Sequence, residues 1–257
     1  MVNFDTKTTT PALIEYLKNW FNQFGENSKA VIGISGGKDS TVAAALLARA
    51  IGPERVIGVM MPNGEQSDID DSIRVCDILG INKLTINIGD IYNAAMDTYE
   101  YSTIDKITEQ LQINLAPRIR MMTLYAVAQG QTDGPAFVVN TCNKSEDYVG
   151  YSTKYGDAAG DIAVLQDFLV SEVLEIGDYL ELPHDLVHKT PSDGLCGKTD
   201  EDNLGFTYAQ LDEYIKYKTG DCDTVECPIP TELAEKIDKK HKTNLHKLRT
   251  MPSFMKQ

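Results

Sequence analysis

Apolar positions near the start of the chain recur at helical spacing, then give way to short continuous apolar runs separated by further helical patterns. In "PALIEYLKNWFNQFG" (11–25), Leu13, Ile14, Leu17, Trp20, Phe21 and Phe24 share one helical stripe that Gly25 closes. "AVIGIS" (30–35) predicts a buried strand, and "STVAAALLARAIG" (40–52) a helix ended by Gly52. A second strand follows in "RVIGVMMP" (55–62) and a helix through "DIDDSIRVCDILG" (68–80). "KLTINIG" (83–89) predicts a third strand, "NLAPRIRMMTLYAVAQG" (114–130) a further helix and "PAFVVNT" (135–141) a fourth strand. Alternation of this kind predicts an α/β fold: a doubly wound, mostly parallel, Rossmann-like sheet with helices on both faces.

Beyond Thr141 the pattern changes. "YSTKYGDAAGDIAVLQ" (151–166) is polar and glycine-rich and reads as a structured loop; "FLVSEVLEIGDYLELP" (168–183) is an amphipathic helix. "KTPSDGLCGKTDEDNLG" (189–205) reads as a long polar loop, a candidate lid, and helices over 207–215 and 231–249 finish the chain. Neither repeats nor a linker divide the 257 residues, so one domain is expected.

Composition narrows the functional classes. With a formal net charge of −14, binding to nucleic acid or to an acidic membrane is not expected. An anionic ligand must then be held by a local cluster working against the global field. Bases do gather at the end: residues 231–257 carry seven bases against three acids, while 193–226 carry nine acids against three bases. No apolar run nears the roughly 20 residues that span a bilayer, and no signal peptide is readable at the N-terminus. Five cysteines without a CxxC pair suit a reducing cytoplasm.

The most informative stretch is "VIGISGGKDS" (31–40), with Gly33, Ile34, Ser35, Gly36, Gly37, Lys38, Asp39 and Ser40 between predicted strand and helix. The order suits anion binding, because a helix start offers unpaired amides and the positive end of its dipole. The spacing misses GxGxxG, and Lys38 is followed by Asp39 where a nucleoside-triphosphatase loop needs Ser or Thr. An acid inside an anion-binding loop makes sense when a divalent cation intervenes, so Asp39 is a candidate Mg2+ ligand. A serine–glycine turn that merely caps the helix is the other reading.

"SGGKDS" after "VIGI" resembles the pyrophosphate loop of the adenine nucleotide α-hydrolase-like ATP pyrophosphatases, which cleave ATP between its α and β phosphates. The remaining motifs resemble those of ammonia-dependent NAD synthetase over nearly the whole chain. That resemblance implies amidation of deamido-NAD with ammonia and ATP, through an NAD-adenylate, in a cytoplasmic homodimer that needs Mg2+. It also implies residue roles. Arg118, and Arg120 two residues on, would meet the dinucleotide; read alone, Arg118 also fits a surface arginine at a helix start. In "TCNKSEDYVGYSTKYGDAAGD" (141–161), Thr141 would touch ATP, Glu146 would bind Mg2+ with Asp39, and Lys154 and Asp161 would meet deamido-NAD. Glu146 fits equally an ordinary acid at a helix start. Ser192 and Lys198 of the candidate lid would reach ATP, and His246 and Lys247 would touch the dinucleotide. Asp157 or Asp161 would orient ammonium for attack, which makes both, with Asp39, candidate catalytic residues.

Two positions depart from the family pattern. Val170 stands where many members carry a lysine, and Met60, at the ATP site, where some carry an arginine. The pair His184 and His188 and the pair Cys222 and Cys227 are weak metal motifs without further ligands. Two rivals remain at this stage: the ATP pyrophosphatase subunit of GMP synthetase, and a nucleotide sensor that no longer catalyses.

Overall fold

The structure, a computed structural model, describes residues 4–66, 69–102, 106–189, 199–222, 224–249 and 251–254. Five parallel strands form one sheet in the order β3-β2-β1-β4-β5: β1 (Lys29–Gly33), β2 (Val56–Met60), β3 (Asn82–Thr85), β4 (Ala136–Asn140) and β5 (Ile162–Ala163). Val31 sits beside Ile57 on one flank and Val138 on the other, so β1 is central. Its side chains alternate between two cores, as a strand covered on both faces requires.

Ala30 and Ile32 face one core, with Leu17 and Phe21 of α1 (Thr6–Asn22), Leu46 and Leu47 of α2 (Lys38–Ile51) and Cys76 of α3 (Ile69–Leu79). Val173 and Ile176 of α7 (Val170–Tyr179) and Leu186 of α8 (His184–Val187) complete that side. Val31, Val59 and Val138 face the other core, with Met96 of α4 (Gly89–Glu100) and Ile119 and Leu124 of α5 (Glu109–Gln129). A third apolar cluster joins Val149 of α6 (Lys144–Val149), Val170 of α7, Leu204 of α9 (Asp200–Leu204), Leu211 of α10 (Tyr208–Thr219) and Ile237 of α11 (Thr231–Leu248). Among the described residues no helix is long and apolar enough to cross a membrane.

The doubly wound α/β class predicted from the pattern is the fold observed. Several elements differ in detail. Helix α1 begins at Thr6, five residues before Pro11, with the Asp5 carbonyl accepting from Thr9 N at 2.8 Å. Pro11 forgoes one bond toward the carbonyl of exposed Lys7, where water can replace it. Regular strand β3 stops at Thr85, yet Ile86 N still bonds Met60 O (2.9 Å) and Ile88 N bonds Pro62 O (2.8 Å). The extended path therefore outlasts the ladder. Helix α5 starts at Glu109, where the Thr108 hydroxyl accepts from Leu111 N. Strand β5 and helices α4 and α9 were not predicted; α9 lies inside the stretch 189–205 read as a polar loop, started by the Thr199 cap and anchored by buried Leu204. The two residues of β5 lie inside the stretch read as a loop, held where Asp161 N bonds Val138 O at 2.8 Å.

Leu47 is fully buried between sheet and helices, and its helix carries the glycine loop. Leu47→Ala is expected to lower unfolding stability by about 2–5 kcal/mol in urea titration, whereas Val225→Ala, at a site 92% exposed, should stay within about 0.5 kcal/mol. Equal effects at the two sites would contradict this packing.

Candidate active site at the carboxyl edge of the sheet

Strand order reverses between β1 and β4, so their connections leave in opposite directions and open a crevice at the carboxyl edge. The glycine loop fills it after β1, and Thr141 and Asn143 follow β4. Gly36 takes φ +76°, and a Cβ there would lie 2.9 Å from Asp71 Cβ and 3.1 Å from Ser72 N. Only glycine fits that turn without strain. Ser35 N donates to Ser40 Oγ (3.3 Å), Gly37 N donates to Ser35 Oγ (3.3 Å), and Thr41 Oγ1 donates to Gly37 O (2.8 Å). The loop is thereby tied to the first turn of α2, whose leading amides have no partner within the helix. The Ile34 side chain is buried in the core and its amide donates to Val59 O (3.0 Å), so Ile34 anchors the loop to β2.

Behind the loop lies a charged cluster. Lys38 is 5% exposed; its Nζ sits 2.8 Å from Asp39 Oδ2 and 3.6 Å from Glu146 Oε1, above the Tyr208 ring at 5.3 Å. Asn143 caps α6 by accepting from Glu146 N (3.0 Å), and it donates to Asp39 Oδ1 (2.9 Å). Burial alone would lower the Lys38 pKa, but Asp39 and Glu146 outweigh it and hold the ammonium charged. Burial and the neighbouring Asp39 push the Glu146 carboxyl up, with Lys38 only partly opposing. Asp200 stands close by, accepting from Tyr151 OH and Tyr208 OH at 3.3 Å each.

A second group of predicted residues gathers around the 150–157 loop. Lys154 Nζ donates to His246 O (2.9 Å), Arg118 Nε to Lys154 O (3.3 Å), and Lys247 Nζ to Gly150 O (2.7 Å) and Ser152 O (2.9 Å). Arg120 Nε donates to Met61 O (3.1 Å), linking this group to the end of β2; burial lowers its pKa against the pull of Asp157. Asp157 Oδ1 accepts from Thr153 N (2.8 Å). Asp161 engages both oxygens, accepting from Val138 N (2.7 Å) and Tyr125 OH (3.4 Å). The imidazole of His246 turns back to Thr243 O (3.1 Å).

Met60 directly precedes Met61, the acceptor of the Arg120 bond. Its side chain is 2% exposed in the core and its carbonyl accepts from Ile86 N (2.9 Å). Val170 likewise packs in the third cluster. Ser192 and Lys198 lie outside the described residues. His184 and His188 stack on each other at 4.1 Å, and His188 Nε2 meets Asp178 Oδ1 at 2.9 Å. Sequence reasoning missed Asn143, Tyr208 and Asp200. The "NKSE" run was readable as an Asn cap with Glu three residues on; the other two reach the cluster only through tertiary folding.

Fold and site together define a Rossmann-like α/β protein with a glycine loop leading into a helix at its switch point. The NAD synthase family model matches residues 10–252. The NH(3)-dependent NAD(+) synthetase of Thermococcus sibiricus is 41% identical over 83% of this chain and 82% of its own length. That of Finegoldia magna is 34% identical over 94% and 95%. Among solved structures, NMN synthetase from Francisella tularensis is similar with a TM-score of 0.84 and 31% identity over 98% of this chain and 99% of its own. The NH3-dependent NAD synthetase of Campylobacter jejuni, solved with nitrate, gives 0.81 and 25% over 98% and 100%. The chain belongs to the NAD synthase family, and it is a ligase.

Two outcomes follow from the geometry. Gly36→Ala combines a left-handed backbone with contacts under 3.2 Å, and it should cost about 1–3 kcal/mol of stability by chemical denaturation. Asp147 is pushed up to about 6 by burial and by Asp157, against 3.8 for a free side chain. Between those values the folded state binds the proton more tightly than the unfolded chain, so stability falls as pH rises through the window. Asp147→Asn removes that loss. Its melting temperature should match the parent's below pH about 4 and exceed it near neutrality, by the equivalent of about 1–2 kcal/mol; a constant offset across pH would refute the assignment.

Proposed function

We propose that this chain amidates deamido-NAD with ammonia, using ATP and Mg2+ and releasing AMP and pyrophosphate. The observation that carries the reading is the Lys38–Asp39–Glu146 cluster at the first turn of α2, behind a glycine loop at the switch point. Amides, a helix dipole and a fixed ammonium suit a polyanion that gains charge as it leaves, here pyrophosphate. The names of the Thermococcus and Finegoldia relatives support free ammonia as nitrogen donor.

The donor set fits a hard cation. Asp39 and Glu146 bring two carboxylates from side chains only 17% and 15% exposed; Asp39 Oδ2 now meets Lys38 and Oδ1 meets Asn143, so a cation would take the place of the Lys38 contact, and its charge would offset the burial that raises the Glu146 pKa. Asp39 and Glu146 would hold Mg2+, which supplies neutralisation of phosphate oxygens when bound. Lys38, Ser35, Ser40, Thr141 and the backbone of residues 33–37 line the ATP side. In this reading the nicotinate carboxylate attacks the α-phosphate of ATP and pyrophosphate leaves. Ammonia then attacks the resulting NAD-adenylate and AMP departs. Arg118, Lys154, His246 and Lys247 flank the dinucleotide, and Arg120 joins that side to the ATP side.

Ammonium must shed a proton before it attacks. Asp161 already spends both oxygens on Val138 N and Tyr125 OH, while Asp157 accepts at Oδ1 from Thr153 N. That contrast favours Asp157 as the group that orients ammonium. Asp161→Asn should then keep its turnover at limiting ammonia, and a loss there would return the role to Asp161.

The same ligation on the deamidated mononucleotide is the second reading, favoured by the likeness to an NMN synthetase. A homodimer in the cytoplasm completes the proposal. Free Cys76, Cys142, Cys222 and Cys227 suit a reducing compartment.

The deciding assay supplies ATP, Mg2+ and either ammonium or glutamine, with deamido-NAD, nicotinate mononucleotide or XMP as acceptor. Pyrophosphate and AMP are expected with deamido-NAD and ammonium. Turnover with XMP alone, or ATP binding without AMP release, would overturn the proposal; turnover confined to the mononucleotide would install the second reading. Asp39→Asn should lower kcat/KM by about 100-fold or more. It should also weaken Mn2+ binding in the presence of a non-hydrolysable ATP analogue, read by calorimetry.

A further inference from the structure

We infer that Tyr155 is a stacking residue for a planar heteroaromatic ring of the anionic dinucleotide, an inference that rests on the substrate reading above. Tyr155 holds φ +61°, a left-handed backbone that a bulky aromatic residue rarely adopts. The surrounding turn enforces it. Gly156 N bonds Thr153 O (2.9 Å), Thr153 N bonds the Asp157 carboxylate (2.8 Å), and Thr153 Oγ1 bonds Asn114 Oδ1 (2.7 Å). A Cβ on Gly156 would lie 2.9 Å from Pro117 Cβ, so the turn is pressed against α5. Glycine or asparagine at position 155 would satisfy this turn with less strain.

Folding therefore does not explain the ring. It is 59% exposed, and it belongs to none of the three apolar clusters. Its neighbours are cationic. Lys154 Nζ lies 5.2 Å from the ring centroid while donating to His246 O, and Arg118 bonds the Lys154 carbonyl. An exposed aromatic ring beside an ammonium, with a guanidinium bonded to the preceding residue's carbonyl, matches a flat ring joined to carboxylate or phosphate groups. A nicotinate ring and an adenine ring both have that chemistry, and the dinucleotide carries each at one end.

Equilibrium binding of deamido-NAD, nicotinate mononucleotide and AMP is measured by calorimetry on the parent, Tyr155→Ala, Tyr155→Phe and Tyr155→Gly. Tyr155→Ala and Tyr155→Gly should bind deamido-NAD about tenfold more weakly, and Tyr155→Phe like the parent. Tyr155→Gly relieves the backbone strain, so its melting temperature should equal or exceed the parent's while affinity still falls; a purely structural role predicts the reverse. The end-group ligand that loses affinity identifies the stacked ring. A parent that binds no deamido-NAD overturns the substrate reading and the stacking with it. A parent that binds it, with Tyr155→Ala binding equally well, overturns the stacking alone.

Discussion

A buried ammonium between two carboxylates is the constraint on which the rest of this site depends. Lys38 is nearly sealed from solvent, and an ammonium there is tolerable only because Asp39 and Glu146 share its charge. Those two acids in turn repel each other and resist burial, so neither is at ease without a cation near it. Asn143 spans the remaining gap by capping α6 and donating to Asp39. Two segments far apart in sequence, 38–39 and 143–146, are thus locked at the head of α2. The arrangement fixes a buried ammonium at the head of α2 in a strongly acidic chain.

A second organising device is the basic face of α11. His241 donates to Tyr148 O (2.7 Å), Asn244 to Val149 O (3.1 Å), and Lys247 to Gly150 O and Ser152 O. Each donor satisfies a carbonyl in the segment that runs from α6 into the loop, a segment too irregular to satisfy its own backbone. The positive charge gathered at the end of the chain therefore has a structural use besides any contact with ligand. Lys247 is engaged in this way, and burial lowers its pKa against the attraction of Asp157. The tie also fixes α6, and with it Glu146, against the third apolar cluster.

How much was legible follows from where the signal lay. Strands β1, β2 and β4 were readable because a strand covered on both faces is a continuous apolar run, while exposed edge strand β3 was readable from alternation in "KLTINIG". Helix α4 carries Tyr92, Met96 and Tyr99 at helical spacing, but polar residues between them weaken the stripe and the stretch was left unassigned. Strand β5 is two residues long and cannot declare itself by period. It exists because Asp161 bonds the edge of β4 through both its backbone and its side chain. Met60 shows what a motif position leaves open. Position in a motif placed it at the ATP site, while the alternation of β2 turned its side chain into the core.

The sequence by itself determined the order of elements, the shape of the glycine loop and the presence of an acid inside it, since each depends on local backbone preference or short spacing. Only the tertiary structure decided which charges meet. Lys38 finds Glu146, Tyr208 lies beneath Lys38, and Asp161 turns to the sheet edge while Asp157 remains nearer the basic loop. The physical reason is that Coulomb and hydrogen-bond energies act through space, across separations that the covalent chain does not record until the sheet has closed around its crevice.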